Sequence, residues 1–145
     1  MDKILDIDNV DLKIISLLNE DAKTPYTEIA KKVFVSSGTV HVRMKKLEDM
    51  GVVKSATLNI DFSKLGYDIS AFLGIYLEKS SLYDTVIEKL KGIAEVVSAY
   101  YTTGNYSIFA KIICRDTNHL RLVLDKIQKV DGIDRTETLI VLEES

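Results

Sequence analysis

Apolar residues in the first third of the chain recur at helical spacing in three short stretches. Val10, Ile14, Leu17 and Leu18 mark one face of a first helix, with Asp8 placed to cap it and Asp11 in the first turn, where a negative charge suits the helix dipole. Asn19, Glu20 and Asp21 end that pattern. Thr24-Pro25 restarts it, a capping-type residue followed by proline at the first helical position, where a missing N–H costs least. The second helix then covers about Tyr26 to Val33 and buries Ile29, Ala30 and Val33. Phe34-Val35-Ser36 is long enough only for a turn. Ser36 caps a third helix that runs to Met50, where Gly51 provides a left-handed stop, and Val40, Met44 and Leu47 form its inward stripe. Beyond it the period changes. Ala56, Leu58 and Ile60 alternate with Ser55, Thr57 and Asn59, which predicts a half-buried strand within Val52 to Ile60, the wing of a winged helix-turn-helix.

Asp61 to Gly66 breaks the alternation, so a hinge is expected over 61–67, between a first domain of residues 1–60 and a second of residues 68–145. Ile69, Ala71, Leu73, Ile75 and Leu77 alternate as a strand; Val86, Ile87, Leu90 and Ile93 mark a helix; Val96 to Thr103 and Tyr106 to Cys114 are two further strands. Leu120, Val123, Leu124, Ile127 and Val130 mark another helix, and Arg135 to Leu142 the last strand. The order is βαββαβ, that of ferredoxin-like folds, which makes the chain α+β. Residues 88–93 and 125–130 echo each other weakly, in keeping with a split βαβ repeat. Helices on one face of such a sheet leave the other bare. Phe72, Tyr76, Tyr101, Phe109 and either Leu139 or Ile140 would supply apolar surface there, and a partner subunit is the usual cover.

Composition adds limits. With 46% hydrophobic and 28% charged residues the 145-residue chain is globular rather than disordered. No apolar run reaches the roughly 18 residues of a membrane span, and the N-terminus lacks the basic-then-apolar form of a signal peptide, so a cytoplasmic protein with no membrane partner is expected. A single cysteine, Cys114, and two histidines without ligand spacing suggest neither zinc nor a Cys/His nucleophile. There is no phosphate-binding glycine loop. The expectation is therefore of no cofactor, no metal and no enzyme.

The net charge of −3 looks wrong for a nucleic-acid binder until it is divided along the chain. Between residues 28 and 54 stand Lys31, Lys32, Arg43, Lys45, Lys46 and Lys54 against Glu28, Glu48 and Asp49, a local basic excess of the kind that phosphates attract. Residues 27–53 have the form of a helix-turn-helix, whose second helix enters the major groove of double-stranded DNA. Its outward candidates are Ser37, Thr39, His41, Val42, Arg43, Lys45 and Lys46, with Ser36 and Gly38 at the helix start, where small residues allow close approach to base edges and phosphates. Arg43 would reach a guanine or the backbone. The plainer reading is a solvated basic face and a serine chosen only as a cap.

A second candidate site lies between the second and third strands. Gly104-Asn105 suffices for a hairpin turn, yet Tyr100, Thr102, Thr103, Tyr106 and Ser107 crowd hydroxyls and aromatics around it. Backbone N–H groups with Thr and Ser hydroxyls suit a carboxylate, and carbonyls suit an ammonium, so a free amino acid would fit.

These stretches together resemble the Lrp/AsnC family of transcriptional regulators over essentially the whole chain. The resemblance is carried by residues 29–32, by Val35-Ser36-Ser37-Gly38-Thr39-Val40-His41-Val42-Arg43, by Leu47-Glu48 and Gly51-Val52-Val53, and by Leu65-Gly66-Tyr67. It implies an N-terminal DNA-binding domain and a C-terminal amino-acid-sensing and oligomerisation domain, with dimers pairing through their sheets and assembling further, commonly to octamers. Residues 99–109 and 136–142 are similar to the asparagine-responsive branch, and Ser107 stands where many relatives carry aspartate. By that resemblance the effector is asparagine, bound between subunits near Thr102 to Ser107, with Gln128 and the last strand, at Thr136 and Thr138, contributing. The competing reading is an architectural protein that oligomerises and wraps DNA without sensing a ligand.

Overall fold

The computed structural model describes residues 6–145, which divide into two compact units, one ending at Asn59 and the other beginning at Ile60. Among the described residues the first contains three helices: α1 (Asn9–Glu20), α2 (Tyr26–Val33) and α3 (Ser37–Asp49). Asp8 caps α1 reciprocally with Asp11: its Oδ1 accepts from the Asp11 N–H at 3.0 Å, and Asp11 Oδ2 accepts from the Asp8 N–H at 3.1 Å. Ile14, Ile29, Ala30, Val33, Val40, Met44 and Leu47 close the core as the spacing predicts.

Three local features differ from expectation. Pro25 stands one place earlier than predicted, as the N-cap of α2, and the Thr24 hydroxyl turns back to the Asp21 carbonyl at 2.8 Å instead of capping the helix. The α2–α3 turn places Phe34 in the left-handed region, φ 61°, with 93% of its surface exposed. The predicted wing strand does not form: residues 52–60 make no ladder, and Leu58 is 76% exposed. Alternation prepares a strand but does not supply its partner, and among the described residues nothing pairs with this segment.

The second unit runs β1 (Ile69–Leu77), α4 (Tyr83–Lys91), β2 (Val96–Tyr101), β3 (Ile108–Cys114), α5 (Thr117–Gln128) and β4 (Ile133–Ile140). A single 3-10 turn, Phe62–Leu65, precedes it, ending on Gly66 at φ 90°. The sheet is antiparallel with order β2-β3-β1-β4, the ferredoxin-like arrangement predicted. Strand bounds shift by a few residues: β2 stops at Tyr101, β3 starts at Ile108, and β4 spans 133–140 in place of 135–142.

Both helices pack on one face. Ala71, Leu73, Ile75, Ile108, Ala110, Ile112 and Cys114 meet Val86, Leu90, Val123 and Ile127 there, all essentially solvent-free. The other face carries rows set by the strand register: Tyr100, Phe109, Gly74 and Glu137 in one, and Ser98, Lys111, Phe72 and Leu139 in the next. Phe72 and Phe109 stack at 5.4 Å between centroids. Tyr101 is not on this face. It pairs with Ile108 and stacks on Tyr83 of α4 at 4.1 Å, because one step along a strand reverses the side. The same rule decides for Leu139, since Ile140 pairs with Ala71 on the helix side.

Phe34 gives a stability prediction. Phe34→Gly relieves a left-handed non-glycine residue while adding unfolded-chain freedom, for a net gain of about 0.5–1 kcal/mol. The expected reading is a higher urea midpoint for the N-terminal unit, and an unchanged or lower midpoint contradicts strain at this turn.

Candidate nucleic-acid and effector sites

The Ser36 hydroxyl caps α3, accepting from the Thr39 N–H at 3.1 Å, and shares a 2.9 Å hydrogen bond with the Thr39 hydroxyl. With Val40, Met44 and Leu47 turned inward, Gly38, His41, Val42 and Lys45 fall at spacings of three, one and three and form one exposed stripe, flanked by the half-buried Ser37. Val42 is 70% exposed, His41 rests edge-on against Tyr26 at 4.5 Å, and Lys45 pairs only loosely with Asp49 at 3.5 Å.

Arg43 and Lys46 do not join that stripe. The expectation that both point outward is corrected by the acidic start of α1. Arg43 Nη1 donates to Asp8 Oδ2 and, at 3.3 Å, to Asp11 Oδ1; Lys46 Nζ donates to Asp11 Oδ2 and to the Asp6 carbonyl, both at 2.7 Å. The Asp11 side chain is fully solvent-inaccessible, so the two cations compensate a carboxylate that burial alone would disfavour. Thus Arg43 holds the Asp8 carboxyl down to about 2, aided by the Asp11 N–H. Burial pushes Asp11 upward, but hydrogen bonds from Lys46, the Asp8 backbone and Arg43 outweigh it and leave its pKa lowered. Asp8 in turn raises Arg43. These contacts fasten α3 to α1 and set the angle at which the stripe is presented.

The β2–β3 connection is tied at its base. Thr102 donates its N–H to the Ser107 carbonyl at 3.0 Å and its hydroxyl to the Tyr106 carbonyl at 3.1 Å, while the Ser107 N–H donates to the Ile75 carbonyl at 2.9 Å. Thr103, Gly104 and Asn105 form an exposed tip, which the positive φ of Gly104, 98°, allows to reverse. Gln128 Nε2 donates to Thr136 Oγ1 at 3.1 Å, and Thr136 pairs with Ile75. The turn and the Gln128–Thr136 pair therefore flank the same β1 residue at one end of the sheet. Tyr100, 62% exposed, lies on the open face, and Thr138 lies two residues farther along β4, opposite Leu73.

Three residues beside this turn, Gly74, Arg135 and Glu137, are given no role by the sequence reading, and Tyr76 only that of apolar surface on the bare sheet face. Tyr106 turns onto the open face, where its hydroxyl donates to Glu137 Oε2 at 2.7 Å; Tyr76 donates to Oε1 at 3.2 Å, and the Arg135 guanidinium lies 4.0 Å from the Tyr76 ring centroid. A Cβ on Gly74 would stand 2.3 Å from Tyr106 Cε1. The Glu137 contact raises the Tyr106 pKa, and Tyr106 lowers that of Glu137. A glycine inside an apolar strand was the available signal, since it marks a close approach. Elsewhere, Cys114 is buried and burial pushes its thiol up. Among the described residues no three His, Cys, Asp or Glu side chains gather to hold a metal, and no helix is long and apolar enough to cross a membrane.

The Asp11 pairs give a second prediction. Arg43→Ala should destabilise the N-terminal unit by about 1–3 kcal/mol, the cost of stripping one partner from a buried carboxylate. Because the folded pKa of Asp11 is depressed, its contribution is present above the unfolded value of about 3.9 and is lost as pH falls through the folded value. The stability gap between wild type and Asp11→Asn should therefore narrow from pH 7 to pH 3 in urea titrations. A gap that is constant or widens toward acid contradicts the pairing.

Comparison with known proteins agrees with this geometry. Residues 70–145 match the model of the Lrp/AsnC ligand binding domain, and residues 7–54 match winged helix-turn-helix DNA-binding domains, a match that ends within the unpaired segment. The regulatory protein AsnC of Haemophilus influenzae is 49% identical over 138 residues, 94% of this chain and 92% of that protein. AsnC of Escherichia coli K12 is 46% identical over the same length, 94% and 91% of the two chains. The solved structure of E. coli AsnC superposes with a TM-score of 0.86 at 45% identity, covering 95% of this chain and 93% of that one. With both domains matched in order and relatives this similar along nearly their whole length, the chain belongs to the Lrp/AsnC family of transcriptional regulators, a DNA-binding helix-turn-helix joined to a ligand-binding domain.

Proposed function

We propose that this regulator acts in the cytoplasm as a homo-oligomer, a dimer assembling further to an octamer, whose DNA affinity or assembly responds to a small amino acid, with L-asparagine favoured. It is a regulator and not an enzyme, and residues 61–67 act as the hinge between residues 1–60 and 68–145. The observation that carries the reading is the exposed stripe of Gly38, His41, Val42 and Lys45 at the capped start of α3. It offers a phosphate-attracting helix end, a cation and an apolar side chain of a size to meet a thymine methyl. Ser36, Ser37 and Thr39 stand at the same helix end, while Arg43 and Lys46 contribute by orienting the helix. The name of the AsnC relatives supports asparagine.

The effector site we assign is the turn Thr102 to Ser107 with Gln128, Thr136 and Thr138 at its border, and Tyr100 on the adjoining face. A second copy covers the open sheet face, where Tyr100 and Leu139 leave large apolar surface exposed. Control is then linkage: asparagine alters DNA binding only by preferring one arrangement of the copies over another.

Two measurements test this. Titrating L-asparagine, with other amino acids as comparison, should raise the thermal midpoint and shift promoter-DNA affinity. At a hundredfold excess over Kd the stabilisation is about 2.7 kcal/mol. If no amino acid moves either quantity, the architectural reading replaces the sensing one. Lys45→Ala should weaken DNA binding across sequences and lower the salt slope by about one. An unchanged slope removes Lys45 from the phosphate contacts.

A further inference from the structure

We propose that Tyr106 is a positioning residue for the effector turn, not a ligand contact: its ring, seated in the gap left by Gly74 and tied through its hydroxyl to Glu137, fixes where residues 102–107 stand against the sheet. This rests on the reading of that turn as the effector site.

The Tyr106 backbone belongs to the turn, since its carbonyl accepts from the Thr102 hydroxyl at 3.1 Å. Its side chain leaves the turn altogether. The ring meets Tyr76 edge-on at 5.3 Å and Phe109 at 6.0 Å, and it covers a glycine in β1, a strand with neighbours on both sides. Glycine within a strand sacrifices side-chain contact and adds entropy to the unfolded chain. Here the loss has a use, because any larger residue would stand within 2.3 Å of the Tyr106 ring and expel it.

Glu137 is itself positioned. Its two oxygens accept from two phenols, and Arg135, which packs on the Tyr76 ring, adds favourable charge. The anchor for the turn is thus a carboxylate braced from both sides on β4, across the sheet from the turn it serves. The remaining ties at the base of the turn are the Thr102 and Ser107 N–H bonds, which both depend on the residue-106 backbone staying in place. Those two amides report on the anchor directly. The ring also forms part of the open sheet face, so a body covering that face touches the group that sets the turn.

The test uses full-length protein with Tyr106→Phe, Glu137→Gln and the double variant, read by amide hydrogen exchange and by L-asparagine binding calorimetry. Tyr106→Phe keeps the ring and its packing, and the Leu73 and Ala110 amides in the core strands serve as the reference for the fold. The expected result is exchange at the Thr102 and Ser107 amides about tenfold faster in each single variant, with the double variant no faster than either. L-asparagine Kd should rise by about the same factor while the thermal midpoint of unliganded protein changes little. Unchanged exchange in Tyr106→Phe, or additive effects in the double variant, overturns the proposal, as does faster exchange with an unaltered Kd. If the amides respond as expected but wild-type protein binds no amino acid, the anchor stands and the effector reading falls.

Discussion

Two helices can cover only one face of a four-stranded sheet, and much of this molecule follows from that limit. The covered face is closed by residues with essentially no solvent exposure, among them Leu73, Ile75, Ile108 and Ile112. At about 25 cal/mol per Å2 of apolar surface, such burial supplies the main favourable contribution to folding. The opposite face is neither a second core nor an ordinary polar surface. It combines the stacked Phe72 and Phe109 with Lys111, Arg135 and Glu137, a mixture suited to a partner that brings both apolar area and charge. The turn at residues 102–107 is anchored on this same face through Tyr106, so in the proposed function ligand and assembly draw on one set of side chains.

The N-terminal unit is governed by a different economy. Its buried carboxylate, Asp11, would be costly alone and is tolerable because Arg43 and Lys46 reach it from α3. Two of the basic positions of α3 are therefore engaged within the protein. What α3 itself has left for DNA is narrow: a small stripe, with Lys45 held only loosely by Asp49, and the positive end of the helix. A surface so limited gives a single copy modest affinity, and several copies held at fixed spacing recover it through effective concentration. In the proposed assembly the ligand-binding unit serves DNA recognition by setting that spacing.

Most of the architecture was legible in the sequence because it rests on local periodicity. The helix stripes, the Ser36 and Asp8 caps, the Gly51 stop and the βαββαβ order each follow from residues close together in the chain. What escaped depends on distant partners. Nothing near Arg43 foretells that Asp8 and Asp11, more than thirty residues earlier, will claim its guanidinium. Likewise the alternation at 55–60 specifies a strand but not whether another strand will meet it. Tyr101 lies on the face opposite to the expected one, because an aromatic near a strand end reads equally well on either side until register is known. Gly74 was visible but silent, since its meaning lies in a tyrosine thirty-two positions away.

In the proposed function the turn at Gly104 holds an amino acid while the open sheet face is covered by another copy of the chain. A crystal structure of the full-length protein grown with L-asparagine tests both parts at once. The expected result is ligand density against residues 102–107, bordered by Gln128 and Thr136, with Phe72, Phe109 and Leu139 buried by a second copy. Asparagine bound elsewhere, or an empty turn above a sheet face open to solvent, would contradict it.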